Sequence, residues 1–137
     1  MNTLVIDTNI LISALIKESV ARKIIVNSRQ NLLLPEFELE EIKNHRNEIM
    51  QKADLSDKEF DILLLRLLNY IKVIPVNIIL PYREEAVEII GNIDRDDVQF
   101  IATALAFNCP IWSEDKHFKK QKTIKIITTR EMLRFID

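Results

Sequence analysis

Four acids, Asp7, Glu41, Asp97 and Asp115, stand where their carboxylates could converge on one divalent cation. Carboxylates held together repel one another and resist ionising at the same time. A hard cation removes that conflict: magnesium takes oxygen ligands, keeps several waters and often uses only one or two carboxylates directly. It also lowers the pKa of a water bound to it and stabilises charge on a phosphate under attack. Such chemistry needs no histidine or arginine nucleophile, which suits a chain whose two histidines are His45 and His117.

Each acid also has an ordinary role open to it. Asp7 can cap a helix, and Asp115 can be a loop acid. Glu41 can be a solvated charge in a turn that also holds Glu36, Glu38 and Glu40. Asp97 is the most telling. Its helix carries an apolar stripe of Val98, Ile101, Ala102 and Leu105. Asp97 lies four residues before Ile101 and so faces the core side of the first turn. A carboxylate there needs a partner. The helix N-terminus supplies part of one, and Asp94 or Asp96 is available as the cap.

The elements that must position these acids can be read in order. Thr3-Leu4-Val5-Ile6 is a buried strand. Asp7-Thr8-Asn9 caps a helix that continues from Ile10 to Ile16. A second helix covers Ser19 to Ser28, and Leu32-Leu33-Leu34 is a second strand. One helix is expected from Pro35 to about Ala53, with Leu39, Ile42, Ile49 and Met50 facing inward. Ser56-Asp57-Lys58-Glu59 is a capping box that opens an amphipathic helix to about Ile71. Lys72-Val73-Ile74-Pro75-Val76 is a third strand, and its proline marks a sheet edge. Helices over Glu84–Ile93 and on to Asn108 precede strands at Pro110–Ser113 and Ile124–Ile127. Thr128-Thr129-Arg130-Glu131 caps a last short helix.

Alternating strands and helices predict an α/β fold with a mainly parallel sheet covered on both faces. Ligands bind such sheets beyond the carboxyl ends of the strands. Asp7 ends the first strand, Asp115 lies two residues past Ser113 at the end of the fourth, and Asp97 and Glu41 sit early in neighbouring helices. All four are expected near one edge.

Bulk properties set the outer limits. With 137 residues, 47% hydrophobic and 29% charged, the sequence reads as one domain, 1–137, with a core of its own. The lone Cys109 excludes an intramolecular disulfide and a cysteine-cluster zinc site. No stretch reaches the ~18–20 apolar residues of a membrane span, and the N-terminus lacks a signal-peptide pattern; a cytoplasmic protein is expected. The net charge of −2 does not advertise nucleic-acid binding, but its distribution is uneven. Residues 51–110 hold ten acids and six bases, whereas residues 111–137 hold four acids and seven bases. The basic excess follows Asp115.

On these motifs the sequence resembles the PIN-domain nucleases over essentially its whole length. The opening motif is Leu4-Val5-Ile6-Asp7-Thr8-Asn9. The second acid falls in Leu39-Glu40-Glu41-Ile42, where the register between Glu40 and Glu41 is open. The third falls in Asp96-Asp97-Val98-Gln99-Phe100-Ile101-Ala102. The fourth falls in Trp112-Ser113-Glu114-Asp115-Lys116-His117-Phe118, with Ser113 where the family often has threonine. The resemblance implies a five-stranded parallel sheet ordered 3-2-1-4-5. It also implies Mg2+- or Mn2+-dependent hydrolysis of RNA phosphodiester bonds. Many small relatives are toxins of VapBC-type toxin–antitoxin pairs, so a cognate antitoxin and a homodimer are expected partners.

Roles follow from the resemblance. Asp7, Asp97 and Asp115 would hold metal, and Glu41 would accept a proton. Asn9 and Ser113 would orient carboxylates or waters. The charge run itself, not the resemblance, offers Lys116, Lys119 and Lys120, with His117, Lys122 and Lys125, either to RNA phosphates or as a solvated charged loop. Other chemistries fit less well. A haloacid-dehalogenase-like phosphatase needs an aspartate where Asn9 stands. A receiver domain needs one where Asn77 follows the third strand. A Gly-rich phosphate loop is absent. The remaining alternative is a catalytically inactive PIN-like module that binds RNA or protein.

Overall fold

The computed structural model describes residues 2–135. β1 (Thr3–Ile6), β2 (Asn31–Pro35), β3 (Ile71–Ile74), β4 (Ile111–Trp112) and β5 (Ile126–Ile127) form one sheet in the order 3-2-1-4-5. Every pairing is parallel. β1 is central: Val5 pairs with Leu33 on one side and Ile111 on the other. Leu4, Val5 and Ile6 are all fully buried. Burial of consecutive strand residues means that both faces are covered, which explains an apolar run without polar alternation.

The helices are α1 (Thr8–Ile16), α2 (Val20–Asn27), α3 (Glu36–Asn44), α4 (Arg46–Ala53), α5 (Asp57–Leu68), α6 (Val76–Ile79), α7 (Arg83–Ile90), α8 (Arg95–Phe107) and α9 (Thr129–Met132). α1 begins immediately after β1 because Asp7, extended at φ −69° and ψ 142°, caps it through the Asn9 N–H. Its other end is closed by a side chain. The Arg22 guanidinium, from α2, donates to the carbonyls of Ala14 and Leu15 at 2.7 and 3.5 Å.

The expected single helix over 35–53 is two. At His45 the backbone turns to φ −95° and ψ 15°, and α4 sets off to pack on α1 and α5. Arg46 fixes the new direction. It donates to Asp57 at 3.1 Å and Asp61 at 2.6 Å, and lies 4.7 Å from the centre of the Phe60 ring. The inward face is as expected: Ile42 and Ile49 are buried, and Leu39 and Met50 pack against the core.

The capping box that opens α5 is formed in both directions, Glu59 N–H to Ser56 Oγ at 3.2 Å and Ser56 N–H to Glu59 Oε1 at 2.9 Å. Ser56→Ala is expected to lower unfolding stability by about 1 kcal/mol, measured by urea denaturation with an unchanged m-value; no loss would mean that water caps the helix equally well. α5 buries the stripe Phe60, Leu64 and Leu67 and leaves Ile62 and Leu65 exposed.

Other boundaries moved for identifiable reasons. β3 ends at Ile74 because Pro75 has no N–H for the ladder. Pro75 instead caps α6, whose first residue, Val76, was expected in the strand, and Glu36 Oε1 accepts the Val76 N–H at 3.3 Å. β3 is an edge strand, as its proline suggested. α7 stops at Ile90 because Gly91 adopts φ 85°, where glycine carries no steric cost. β5 is shorter than Ile124–Ile127. The Gln121 side chain takes both the N–H and the carbonyl of Ile124, at 2.8 and 2.9 Å, so Ile124 is lost to the ladder. Among the described residues, no helix is long and apolar enough to cross a membrane.

Candidate metal centre

The carboxyl ends of β1 and β4 lie side by side, with Ile6 paired to Trp112. The residues that follow them therefore meet. Ser113, itself buried, donates its hydroxyl to Asp7 Oδ2 at 2.6 Å and accepts the Asp115 N–H at 2.9 Å. Asp7 Oδ1 accepts the Asn9 backbone N–H at 3.2 Å. Ser113 thus ties together the acids at the ends of two neighbouring strands. Trp112 beneath it is fully buried, with its indole N–H on Thr129 Oγ1 at 3.0 Å, which makes it core.

Asp97 enters from the first turn of α8. Asp94 is the cap, accepting the Asp96 N–H at 2.9 Å, so Asp97 is not needed for capping. The Asp97 residue is only 7% exposed, in agreement with its predicted core-side position. Asp115 caps the short 3₁₀ turn over Lys116–Lys120 through the His117 N–H. The His117 imidazole then lies 3.7 Å from Asp97 and 3.8 Å from Asp115.

All four expected acids line one cavity of about 150 Å3, together with Glu38, Asp94 and Asp96. The open register resolves at the level of placement. Glu41 lines this cavity, while Glu40 is exposed and lies 3.9 Å from Lys43. Lys116, Lys119 and Lys120 are exposed on the neighbouring turn, which buried Phe118 anchors. A second cavity of about 850 Å3 shares Asp7, Asn9 and Asp115 and runs past Ser13, Lys17, Ser19 and Thr129. The acids therefore sit where two hollows join. A third cavity of about 520 Å3, lined by Asn2, Cys109 and Lys125 among others, holds no acid. Burial pushes the Cys109 thiol there up to about 11.

Glu38 is the acid that sequence reasoning missed. It is 1% exposed. Its Oε2 accepts the Thr8 hydroxyl at 2.8 Å, and its Oε1 is buried with no hydrogen-bond donor among the described residues. The Asp96 carboxyl on α8 is the neighbouring acid that bears on Glu38. Burial, then Asp96, pushes Glu38 up to about 9. A signal was present: Glu38 lies four residues before inward-facing Ile42, the same spacing that singled out Asp97.

The electrostatics are those of a cation site. Burial raises Asp7, against the lowering hydrogen bonds from Ser113 and Asn9, and the Asp115 and Asp96 charges raise it further. Burial also raises Asp97 to about 6, helped by Asp94, Asp115 and Asp7 and opposed by His117. Seven carboxylates around one small cavity, with an orphaned buried oxygen among them, fit a divalent metal ion. The oxygens of Asp94 and Asp97 and a ring nitrogen of His117 lie within 4.8 Å of one another. That grouping shares Asp97 with the expected set of Asp7, Asp97 and Asp115 but differs in the other two members.

Comparison with known proteins bears on this geometry. No curated protein matches the chain. Among solved structures, the chain is similar to one in a crystal structure of VapBC2 from Rickettsia felis bound to a DNA fragment from their promoter. The TM-score is 0.69 at 18% identity, covering 92% of this chain and 98% of that one, so the two share a fold. A family model described as PIN domain matches residues 5–135, all but the ends of the sequence, and the chain belongs to the PIN domain family.

Proposed function

We propose that the chain is a metal-dependent ribonuclease that hydrolyses RNA phosphodiester bonds as an endoribonuclease. The observation that carries this reading is the meeting of Asp7, Glu41, Asp97 and Asp115, from four separate segments, in one cavity at the carboxyl edge of the sheet. Carboxylates, with the His45 and His117 imidazoles at the rim, suit Mg2+ or Mn2+. Asp7, Asp97 and Asp115 are assigned to hold the ion, which when bound lowers the pKa of water and offsets charge on the phosphate. The Ser113 hydroxyl and the Asn9 N–H fix the two oxygens of Asp7, so that its carboxylate is oriented before substrate arrives. Glu41, partly exposed at the cavity, is assigned to accept the proton of the attacking water.

The larger hollow beside Asp7 and Asp115 supports an RNA path that passes the acids. Lys116, Lys119 and Lys120 are assigned to its phosphates, which position the strand without reading its sequence. RNA affinity should then fall as salt rises, and a salt-insensitive affinity in filter binding would remove these lysines from the interface.

The likeness to a VapBC2 complex supports a finer reading, the toxin of a toxin–antitoxin pair, held by a cognate antitoxin and working as a cytoplasmic homodimer. Exposed Ile62 and Leu65 on α5 are the apolar residues offered for the dimer contact.

The test is incubation of purified protein with a labelled structured RNA pool in Mn2+, in Mg2+ and in chelator. Internal cleavage only with metal is expected. No cleavage together with no metal binding would overturn the reading and leave a PIN-like binding module.

A further inference from the structure

We propose that the hollow between α1 and α4, beside the acid-lined cavity, is a base subsite that takes a guanine of the RNA strand, read by Glu48 and Lys52. The proposal rests on the ribonuclease reading and adds to it the base that the strand presents near the cut.

A cavity of about 250 Å3 occupies this position. It shares Asn9, Ile12 and His45 with the cavity that holds the acids, so the two are continuous. A strand with one phosphate at the acids can lay a neighbouring base here. The volume falls below the roughly 300–1,000 Å3 of a pocket for a drug-sized ligand, which suits a single unstacked ring system. The floor is apolar: Ile49 is buried, and Ile12 and Ile16 are half-buried. A splayed-out base needs such a surface for its face and polar groups for its edge. The helix break at His45 supplies both. It turns α4 onto α1 and sets Glu48 and Lys52, one helical turn apart, at the exposed rim.

The rim carries a defined pattern of donors and acceptors. Lys52 donates to Glu48 Oε1 at 3.1 Å, and His45 Nδ1 lies 3.5 Å from Glu48 Oε2. A carboxylate has about four acceptor sites, so both Glu48 oxygens can still accept, and Lys52 keeps two further N–H donors. Lys52 also holds Glu48 below the ordinary carboxylate range, which keeps it ionised and purely an acceptor at neutral pH. The rim thus offers two adjacent acceptors followed by a donor. Guanine presents the complement on its Watson–Crick edge, two adjacent N–H groups followed by O6. Adenine and cytosine present one amino group beside an acceptor, and uracil one N–H between two acceptors. None of those three can engage both oxygens of one carboxylate.

The test is fluorescence anisotropy with the full chain and labelled RNA pentamers of uridine that carry guanine, inosine, adenine, cytosine or uracil at the centre. Ca2+ is present to offset the charge of the acids without adding a transition metal. The guanine pentamer should bind about 5–150-fold more tightly than the adenine one, the discrimination of one bidentate base contact. Inosine lacks the 2-amino group and should lose most of that gain. Glu48→Gln should bring guanine to the level of adenine and leave the adenine pentamer within about twofold of the parent, with folding verified by a thermal melt. Glu40→Gln, which removes an equal charge elsewhere on the surface, should keep the preference. Equal affinity for all five pentamers, a preference that survives Glu48→Gln, or one lost equally in Glu40→Gln overturns the proposal. Cleavage is not read, so guanine preference without RNA hydrolysis would sink the ribonuclease reading alone.

Discussion

Asp97→Asn is expected to lower metal-dependent RNA cleavage by about 10²–10³-fold, because removing one charged ligand forfeits several kcal/mol of stabilisation at the phosphate. The same substitution should leave the metal-free protein as stable or slightly more so. Asn has the same shape, and Asp97 is a carboxylate already raised to about 6 by burial and by Asp94, Asp115 and Asp7. A fold defect would move both quantities downward; loss of a ligand moves activity down while stability holds or rises. Asp7→Asn should behave alike in activity. It disturbs the bond from Ser113 less than alanine would, because Asn keeps an oxygen that can accept it. Glu40→Gln is the control: its side chain is 65% exposed and meets Lys43 at 3.9 Å, so its cleavage rate should be unchanged. The measurement is single-turnover cleavage in Mn2+ alongside melting in chelator. Full activity of Asp97→Asn would remove this residue from the metal set.

The parts of the site that could be read from sequence were those fixed by local rules. Asp7 had to sit at the sheet edge because an apolar strand ends one residue earlier. Asp97 had to face inward because its helix stripe is unambiguous. The order of the sheet was available only through family resemblance, since short apolar strands carry no partner information of their own. What stayed hidden depended on contacts distant in sequence. Gln121 shortens β5 with its side chain, Arg22 closes α1 from the next helix, and the helix break at His45 is held by Arg46 reaching Asp57 and Asp61. Glu38 was hidden differently. Periodicity placed it inward, but an acid-rich turn reads as solvated until Thr8 and Asp96 are seen around it.

Glu38 also gives the protein a pH dependence with a definite sign. Its folded-state pKa of about 9 lies above the ordinary 4.5, chiefly because burial disfavours the charge and Asp96 adds to it. The native chain therefore holds a proton that the unfolded chain has released, and stability falls as pH rises from about 4.5 towards 9. In chelator, the melting temperature should decline across that window. Glu38→Gln should flatten the decline and raise stability at pH 8 by about 2 kcal/mol or more, because Gln folds without the proton uptake that Glu38 requires there. Gln keeps an oxygen for the Thr8 hydroxyl and gains an N–H₂ that Asp96 can accept. Saturating Mn2+ should shrink or reverse the advantage if the ion held in the acid-lined cavity offsets the Glu38 charge, because ligand binding to the native state stabilises it. A Glu38→Gln protein that is less stable than the parent at pH 8 in chelator would mean that folding does not raise the Glu38 pKa. The crossing of the two stability orders, with and without metal, separates a carboxylate kept for a cation from one that is merely buried.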